Sequence, residues 1–171
     1  MDTLFGLPAH PFLVHIPIVL LPLAALGAVI MVIRPSWHQR YRWSVLAIGV
    51  VGSMGTVLAA AAGEELAKRI VAIEGVAAAA GWEEHAHNGE TARLFAIVFL
   101  AVLIVLVFAP MVVERRGAAQ GDAGVATTPV ALRSLLAVLT VVSAVAVVYT
   151  IIKAGHTGSH SVWIDVVKPG G

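Results

Sequence analysis

The sequence predicts an all-α fold, an integral membrane bundle of four transmembrane helices, and two observations carry this prediction. Of the 171 residues, 59% are hydrophobic and only 12% are charged, about half the charged fraction of a soluble domain. A chain of this length cannot bury so much apolar surface in one water-soluble core. The apolar residues also fall into four runs, each close to the roughly 20 residues that cross hydrocarbon as a helix.

These runs define the spans of a single membrane domain that covers residues 1–171. The predicted spans are about 12–33, 43–62, 93–113 and 131–153. The apolar core of each span contains no Lys, Arg, Asp or Glu, and a chain in lipid must satisfy its own backbone polar groups, which a helix does. Consecutive spans then form an up-down-up-down bundle, and the sequence shows no internal repeat.

The connection between the second and third spans, residues 63–91, is too long for a simple hairpin. Leu66, Ile70, Ile73 and Ala77 recur at helical spacing and form one apolar stripe. Charged residues lie between them. The pattern predicts a short amphipathic helix that lies on the membrane surface or caps the bundle.

Basic residues orient the chain in the bilayer. Arg34, Arg40 and Arg42 crowd the connection between the first two spans, whereas no Lys or Arg precedes the first span. Short loops rich in Lys and Arg stay in the cytoplasm. We therefore expect a protein of the inner (plasma) membrane with both termini outside.

Charge and cysteine content exclude several classes of function. The net charge of +1 provides no basic face for a nucleic acid. Because the chain has no cysteine, it has no disulfides, thiolate metal sites or cysteine nucleophiles. It also lacks a phosphate-binding glycine loop, a His-Glu-x-x-His metalloprotease motif and a nucleophile elbow. We expect electron transfer or binding rather than stand-alone catalysis.

Histidines are the residues that point to chemistry. Four spans place all but His38 on the outer side, namely His10, His15, His85, His87, His156 and His160. His15 lies about one turn inside the first apolar run, where an ionisable side chain usually faces the bundle interior or a wet cavity. His10, His85 and His156 lie near the ends of three different helices at similar depth. Neighbouring helices are about 8–10 Å apart, so these side chains can converge.

Imidazole is the commonest metal ligand in proteins and also binds haem iron. We therefore predict a redox or metal-binding membrane protein that holds haem b or a transition metal at its outer edge. The expected cofactor ligands are His15, His156, His85 and His10, with His15 paired with His156 or His85. For a small metal centre, the expected ligands are His15, His85, His156 and Glu90.

Two other functions fit the sequence less well than a redox or metal-binding protein does. A non-catalytic membrane subunit or scaffold would pack against a partner protein, and its histidines would cap helix ends. A small-molecule channel or carrier would normally carry charged or polar groups at the membrane midplane, where only Ser53, Thr56, Thr140 and Ser143 are expected. The expected partners are the lipid bilayer and a redox or membrane protein, and an oligomer is compatible with the sequence.

Small residues mark a packing face in the second span. Gly49, Gly52 and Gly55 recur every three residues. Small residues let helices approach closely in lipid, and the same spacing would also leave room for a flat cofactor. Close packing is the interpretation that the pattern favours.

Three segments of the chain resemble one known family. LPAHPFLVHIPIVLLPLAALGA, EEHAHNGET and KAGHTGSHSVW are similar to Domain of Unknown Function 2231, a family of predicted four-span bacterial membrane proteins. The resemblance extends over essentially the whole chain and implies the membrane fold, but no activity. It singles out these positions: His10, His15, His85, Gly89, Glu90, His156, Gly158 and Trp163. His87 and His160 lie off the family pattern.

Overall fold

The computed structural model describes residues 3–76, 81–119 and 129–167, which are almost entirely helical. A short antiparallel hairpin of β1 (Thr3–Leu4) and β2 (Leu7–Pro8) begins the described chain. The helices are α1 (His10–Leu13), α2 (His15–Ile33), α3 (Pro35–Glu74), α4 (Glu83–Ala119) and α5 (Val130–Val167). A single turn residue, Val14, separates α1 from α2, so the two act as one span.

In the part of the chain that the structure describes, four helical segments are long and apolar enough to cross a membrane: α1 with α2, then α3, α4 and α5. The four-helix membrane bundle predicted from the sequence is confirmed. Large apolar side chains remain exposed along one stripe of α5, which contains Leu135, Val138, Val142, Val145 and Ile152. Such a surface is unfavourable in water and suits contact with lipid.

Each helix of the bundle packs against two neighbours. The α2 helix contacts α3 and α5, and α4 contacts the same two helices from the other side. Leu21, Phe99, Leu103 and Val147 are fully buried where these helices meet. The helices therefore alternate in direction around one apolar core, as an up-down-up-down bundle requires.

The glycines of the second span serve close packing. Gly49, Gly52 and Gly55 are all buried. A Cβ atom on Gly49 would lie 2.5 Å from Cδ2 of Leu103, and one on Gly55 would lie 2.5 Å from Cγ2 of Ile16. Side chains of neighbouring helices fill the space that the missing methyl groups leave, so these glycines bring the helices together.

The segment after the second span differs from the prediction in how it is connected. Residues 63–74 are helical, but they continue α3 and do not form a separate surface helix. No proline interrupts this stretch, and Lys68 bonds Glu65 one turn away, so the helix continues until Gly75, whose φ is +88°. Ala77, the last residue of the predicted stripe, lies outside the described residues. With 40 residues, α3 is about 60 Å long, roughly twice the hydrocarbon thickness.

The two ends of the bundle differ in their histidines. The start of α1, residues 59–63 of α3, the start of α4 and residues 154–158 of α5 lie together at one end, which we call the histidine side. Hydrogen bonds from His10 to α3 and from His85 to α5 hold them there. His38 lies at the opposite end, as the number of spans predicted.

At that opposite end, His38 compensates for a proline in α4. Pro110 has no N–H group and cannot bond to the carbonyl of Leu106 four residues earlier. The Nε2 atom of His38 lies 3.1 Å from this carbonyl oxygen and donates a hydrogen bond to it. The imidazole thereby connects α3 to α4 and satisfies a carbonyl that the proline leaves free.

Replacing His38 should therefore destabilise the bundle in a way that depends on Pro110. We expect His38→Ala to lower the free energy of unfolding by about 1–3 kcal/mol, since it leaves a carbonyl unsatisfied. In the Pro110→Ala background the loss should be smaller, because the restored backbone N–H bonds to Leu106. Unfolding in detergent followed by circular dichroism measures both losses. Equal losses in the two backgrounds would contradict this account.

Candidate functional site

On the histidine side, two imidazole rings from different helices meet. His10 begins α1, and His85 lies in the first turn of α4. Their ring centroids are 5.8 Å apart, and the ring planes are inclined by 76°. Both side chains are half-buried. The pair joins the two halves of the bundle, because α1 leads into α2 and α3 whereas α4 leads into α5.

Each ring of this pair is fixed by a backbone carbonyl. Nδ1 of His10 lies 2.8 Å from the oxygen of Ala59 in α3, and Nδ1 of His85 lies 3.0 Å from the oxygen of Ala154 in α5. A carbonyl oxygen only accepts hydrogen bonds, so Nδ1 must carry the proton in both rings. In the neutral imidazole, Nε2 then has the free lone pair. The same Nδ1–H to carbonyl bond commonly orients histidines that bind metals.

A glycine makes room for each ring. Gly63 follows Ala59 by four residues, and Gly158 follows Ala154 by the same interval. A Cβ atom on Gly63 would lie 2.9 Å from Nδ1 of His10, and one on Gly158 would lie 2.8 Å from Cε1 of His85. The two halves of the bundle therefore repeat one arrangement. A histidine near the start of the first helix contacts an Ala-x-x-x-Gly segment in the second.

Neighbouring side chains fix the start of α4 against the end of α5. Asn88 is buried, lies one turn from His85, and donates a hydrogen bond of 3.4 Å to Thr157 Oγ1. The ring of Trp82 packs near His85, with 6.4 Å between centroids. Asn88, Thr157 and Gly63 were not predicted as site residues. The signal for Asn88 was its spacing of three residues from His85, which places both on one helical face.

Glu90 belongs to an ion-pair cluster. Its carboxylate accepts a hydrogen bond from Nη2 of Arg93, and Nη1 of the same arginine lies 3.5 Å from Glu64 in α3. All three side chains are at least one-third exposed, so each pair contributes little to stability. The predicted metal ligand Glu90 is thus held by Arg93.

His15 does not face the bundle interior, so this one of its two expected surroundings is wrong. Its side chain is exposed, whereas Pro17, two residues later, is buried. Two residues correspond to about 200° around a helix, so burial of Pro17 turns His15 outward. Among the described residues, the ring contacts of His85 are with His10 and Trp82. The structure therefore does not show the expected pairing of His15.

His156 is exposed near the end of α5. Its ring lies 6.3 Å from that of His160, one turn along the same helix. His87 is also exposed. Within residues 3–76, 81–119 and 129–167, no three His, Asp or Glu side chains are grouped closely enough to hold a metal ion. Of the four histidines predicted as cofactor ligands, the structure brings together His10 and His85.

The fold and the comparisons with known proteins agree on the class of protein. Four apolar helices of spanning length define a multi-pass membrane protein. A family model described as a predicted membrane protein, DUF2231, matches residues 6–169, and the chain belongs to this family. The family resemblance of the three sequence segments is thus confirmed. No curated protein and no solved structure matches the chain.

The glycines beneath the rings provide a test of the site with matched controls. We expect Gly158→Ala to lower the free energy of unfolding by about 1–3 kcal/mol, because the methyl group must displace His85. Gly155→Ala, three residues earlier in α5, meets nothing within 4 Å and should be neutral or stabilising by up to about 1 kcal/mol. Unfolding in detergent compares the two variants.

The first half of the bundle allows the same comparison. Gly63→Ala should destabilise through His10. Its control is Gly89→Ala in α4 of the other half, which also meets nothing within 4 Å. If the paired variants unfold at the same temperature, the rings are not packed on the glycines as described.

Proposed function

We propose that this protein is a metal-binding membrane protein that holds one transition-metal centre between His10 and His85. The centre is either a single ion or the iron of haem b. One observation carries the proposal. Two imidazoles from different halves of the bundle meet with Nδ1 bonded to a carbonyl in each, which leaves two Nε2 lone pairs for one ion.

The separation of the rings suits a shared ion. Imidazole nitrogen binds zinc at about 2.0–2.1 Å, and two such ligands in a bent arrangement place the ring centroids roughly 5–6 Å apart. The observed separation is 5.8 Å. A haem would also need a flat slot for its macrocycle between the two rings, so the observed separation suits a single ion better than haem iron.

The type of ligand restricts the metal. Imidazole binds zinc, copper, iron and nickel, whereas magnesium and calcium prefer oxygen ligands. Two imidazoles leave further coordination positions for water or for an exchanging ligand. Copper and iron change oxidation state, so a site occupied by either would transfer electrons. This chemistry favours binding or electron transfer over stand-alone catalysis.

The location of the pair suits exchange with a partner in water. Ala59 and Ala154 lie at the histidine-side ends of the second and fourth spans, and α3 continues well beyond that level. The arginines of the first connection favour the opposite end as cytoplasmic. The metal centre would then lie at the outer edge of the inner membrane, where a redox or membrane-protein partner can approach it.

A second function is favoured by the same hydrogen bonds. His10 ties α1 to α3, and His85 ties α4 to α5, so the pair would also serve as a purely structural clasp in a membrane subunit or scaffold. A clasp requires no metal. The two functions therefore differ in metal content and not in geometry.

The metal content of the purified protein distinguishes the metal-binding function from the structural clasp. We expect about one metal ion or haem per chain after purification in detergent, measured by elemental analysis and by absorption spectra of the oxidised and reduced protein. A Soret band with sharp reduced bands identifies haem b, and copper, zinc or iron without these bands identifies a small centre. His10→Ala and His85→Ala should each lose most of the metal, because either change removes one of two ligands.

His87→Ala is the matched control, since this exposed residue lies two positions from His85, and it should retain the metal. Circular dichroism establishes that each variant is folded. If the folded wild-type protein is colourless, metal-free and unable to take up copper, zinc or haem, the metal-binding function is wrong and the clasp stands.

A further inference from the structure

A cleft opens between the start of α4 and the C-terminal part of α5. It is lined by Gly81, Glu84, His156, Thr157, His160 and Ser161. Ser161 Oγ donates a hydrogen bond of 3.2 Å to the carbonyl of Gly81, and this bond connects the two walls. The buried bond from Asn88 to Thr157 fixes them a second time. The cleft therefore has a defined shape.

Two histidines project into this cleft from one helix. His156 and His160 are four residues apart in α5, with 6.3 Å between ring centroids and 44° between ring planes. Both are exposed, and neither ring makes a hydrogen bond to another described residue. Residues at this spacing share one helical face. The same i,i+4 spacing allows two histidines to bind one zinc ion on a helix.

A carboxylate lies across the cleft from this pair. Glu84 belongs to the first turn of α4 and is exposed. It lines the same cleft. Two histidines and one carboxylate form a ligand set that several divalent transition metals accept. No three such side chains are yet close enough to enclose an ion in the described part of the chain. Glu84 would have to rotate its side chain toward the two imidazoles to complete the ligand set.

We infer that His156 and His160, with Glu84 opposite, form a second, solvent-exposed site for one divalent transition-metal ion. It is separate from the His10–His85 centre. Gly158 contacts His85 and lies about 200° around α5 from both cleft histidines, so the two sites use different faces of the helix. An open site with two imidazoles and one carboxylate exchanges its ion with the surroundings readily.

Titration of the full-length protein tests this inference. The protein is stripped with a chelator and titrated in detergent with Cu²⁺, and electron paramagnetic resonance detects nitrogen coordination. We expect one saturable Cu²⁺ signal with two nitrogen ligands to disappear in the His156→Ala/His160→Ala variant. His10→Ala/His85→Ala should retain this signal, so loss of the proposed main centre does not affect the result.

Glu84 provides the finer test. Glu84→Gln should weaken Cu²⁺ binding at the cleft by about 10-fold or more, whereas Glu83→Gln, its exposed neighbour, should not. Circular dichroism melts establish that the variants are folded. If the histidine double variant binds Cu²⁺ as the wild type does, or if the wild type shows no saturable signal, the second site does not exist.

Discussion

Hydrocarbon offers no hydrogen-bonding partner to a peptide group, so every span must satisfy its own backbone. The apolar runs are helical for this reason. Where a residue interrupts the backbone bonding of a helix, another group has to replace the missing partner. Pro110 leaves the carbonyl of Leu106 without a helix partner, and His38 supplies one from α3. The hydroxyls of Thr56 and Thr150 return to carbonyls of their own helices. Polar side chains in this bundle thus bond mainly to backbone carbonyls. His38 replaces a missing helix partner, whereas the threonine hydroxyls satisfy their own O–H groups.

The imidazoles of the histidine side also bond to backbone carbonyls. His10 and His85 bond to helix carbonyls at positions where a glycine lets the ring approach. The carbonyl of Ala154 also accepts from Thr157, so this one oxygen within α5 serves more than one donor. Because Nδ1 of each ring bonds to a carbonyl, Nε2 makes no bond to that carbonyl. A bond that holds two helices together therefore also fixes the tautomer of each ring.

Span number, helix type and the side on which the histidines lie could be predicted because each depends on hydropathy along the chain. Which histidines contact one another could not be predicted in this way. His15 was placed inward from its depth, but its direction depends on the rotation of α2, which burial of Pro17 fixes. The contact of His10 with His85 depends on two glycines whose effect is visible only once α3 and α5 are in place. Likewise, α3 continues beyond its span because no residue breaks the helix there. An apolar stripe alone does not indicate whether such a break is present.

The repeated arrangement in the two halves has a consequence for the origin of the site. One helical hairpin with a histidine at its start and Ala-x-x-x-Gly in its second helix carries a single imidazole. Two copies of such a hairpin, related by a twofold axis along the membrane normal, would bring their imidazoles together at that axis. A duplicated and fused gene would place two imidazoles side by side without further change. Each copy could then diverge, and Trp82 and Asn88 beside His85 are differences of the kind that divergence produces.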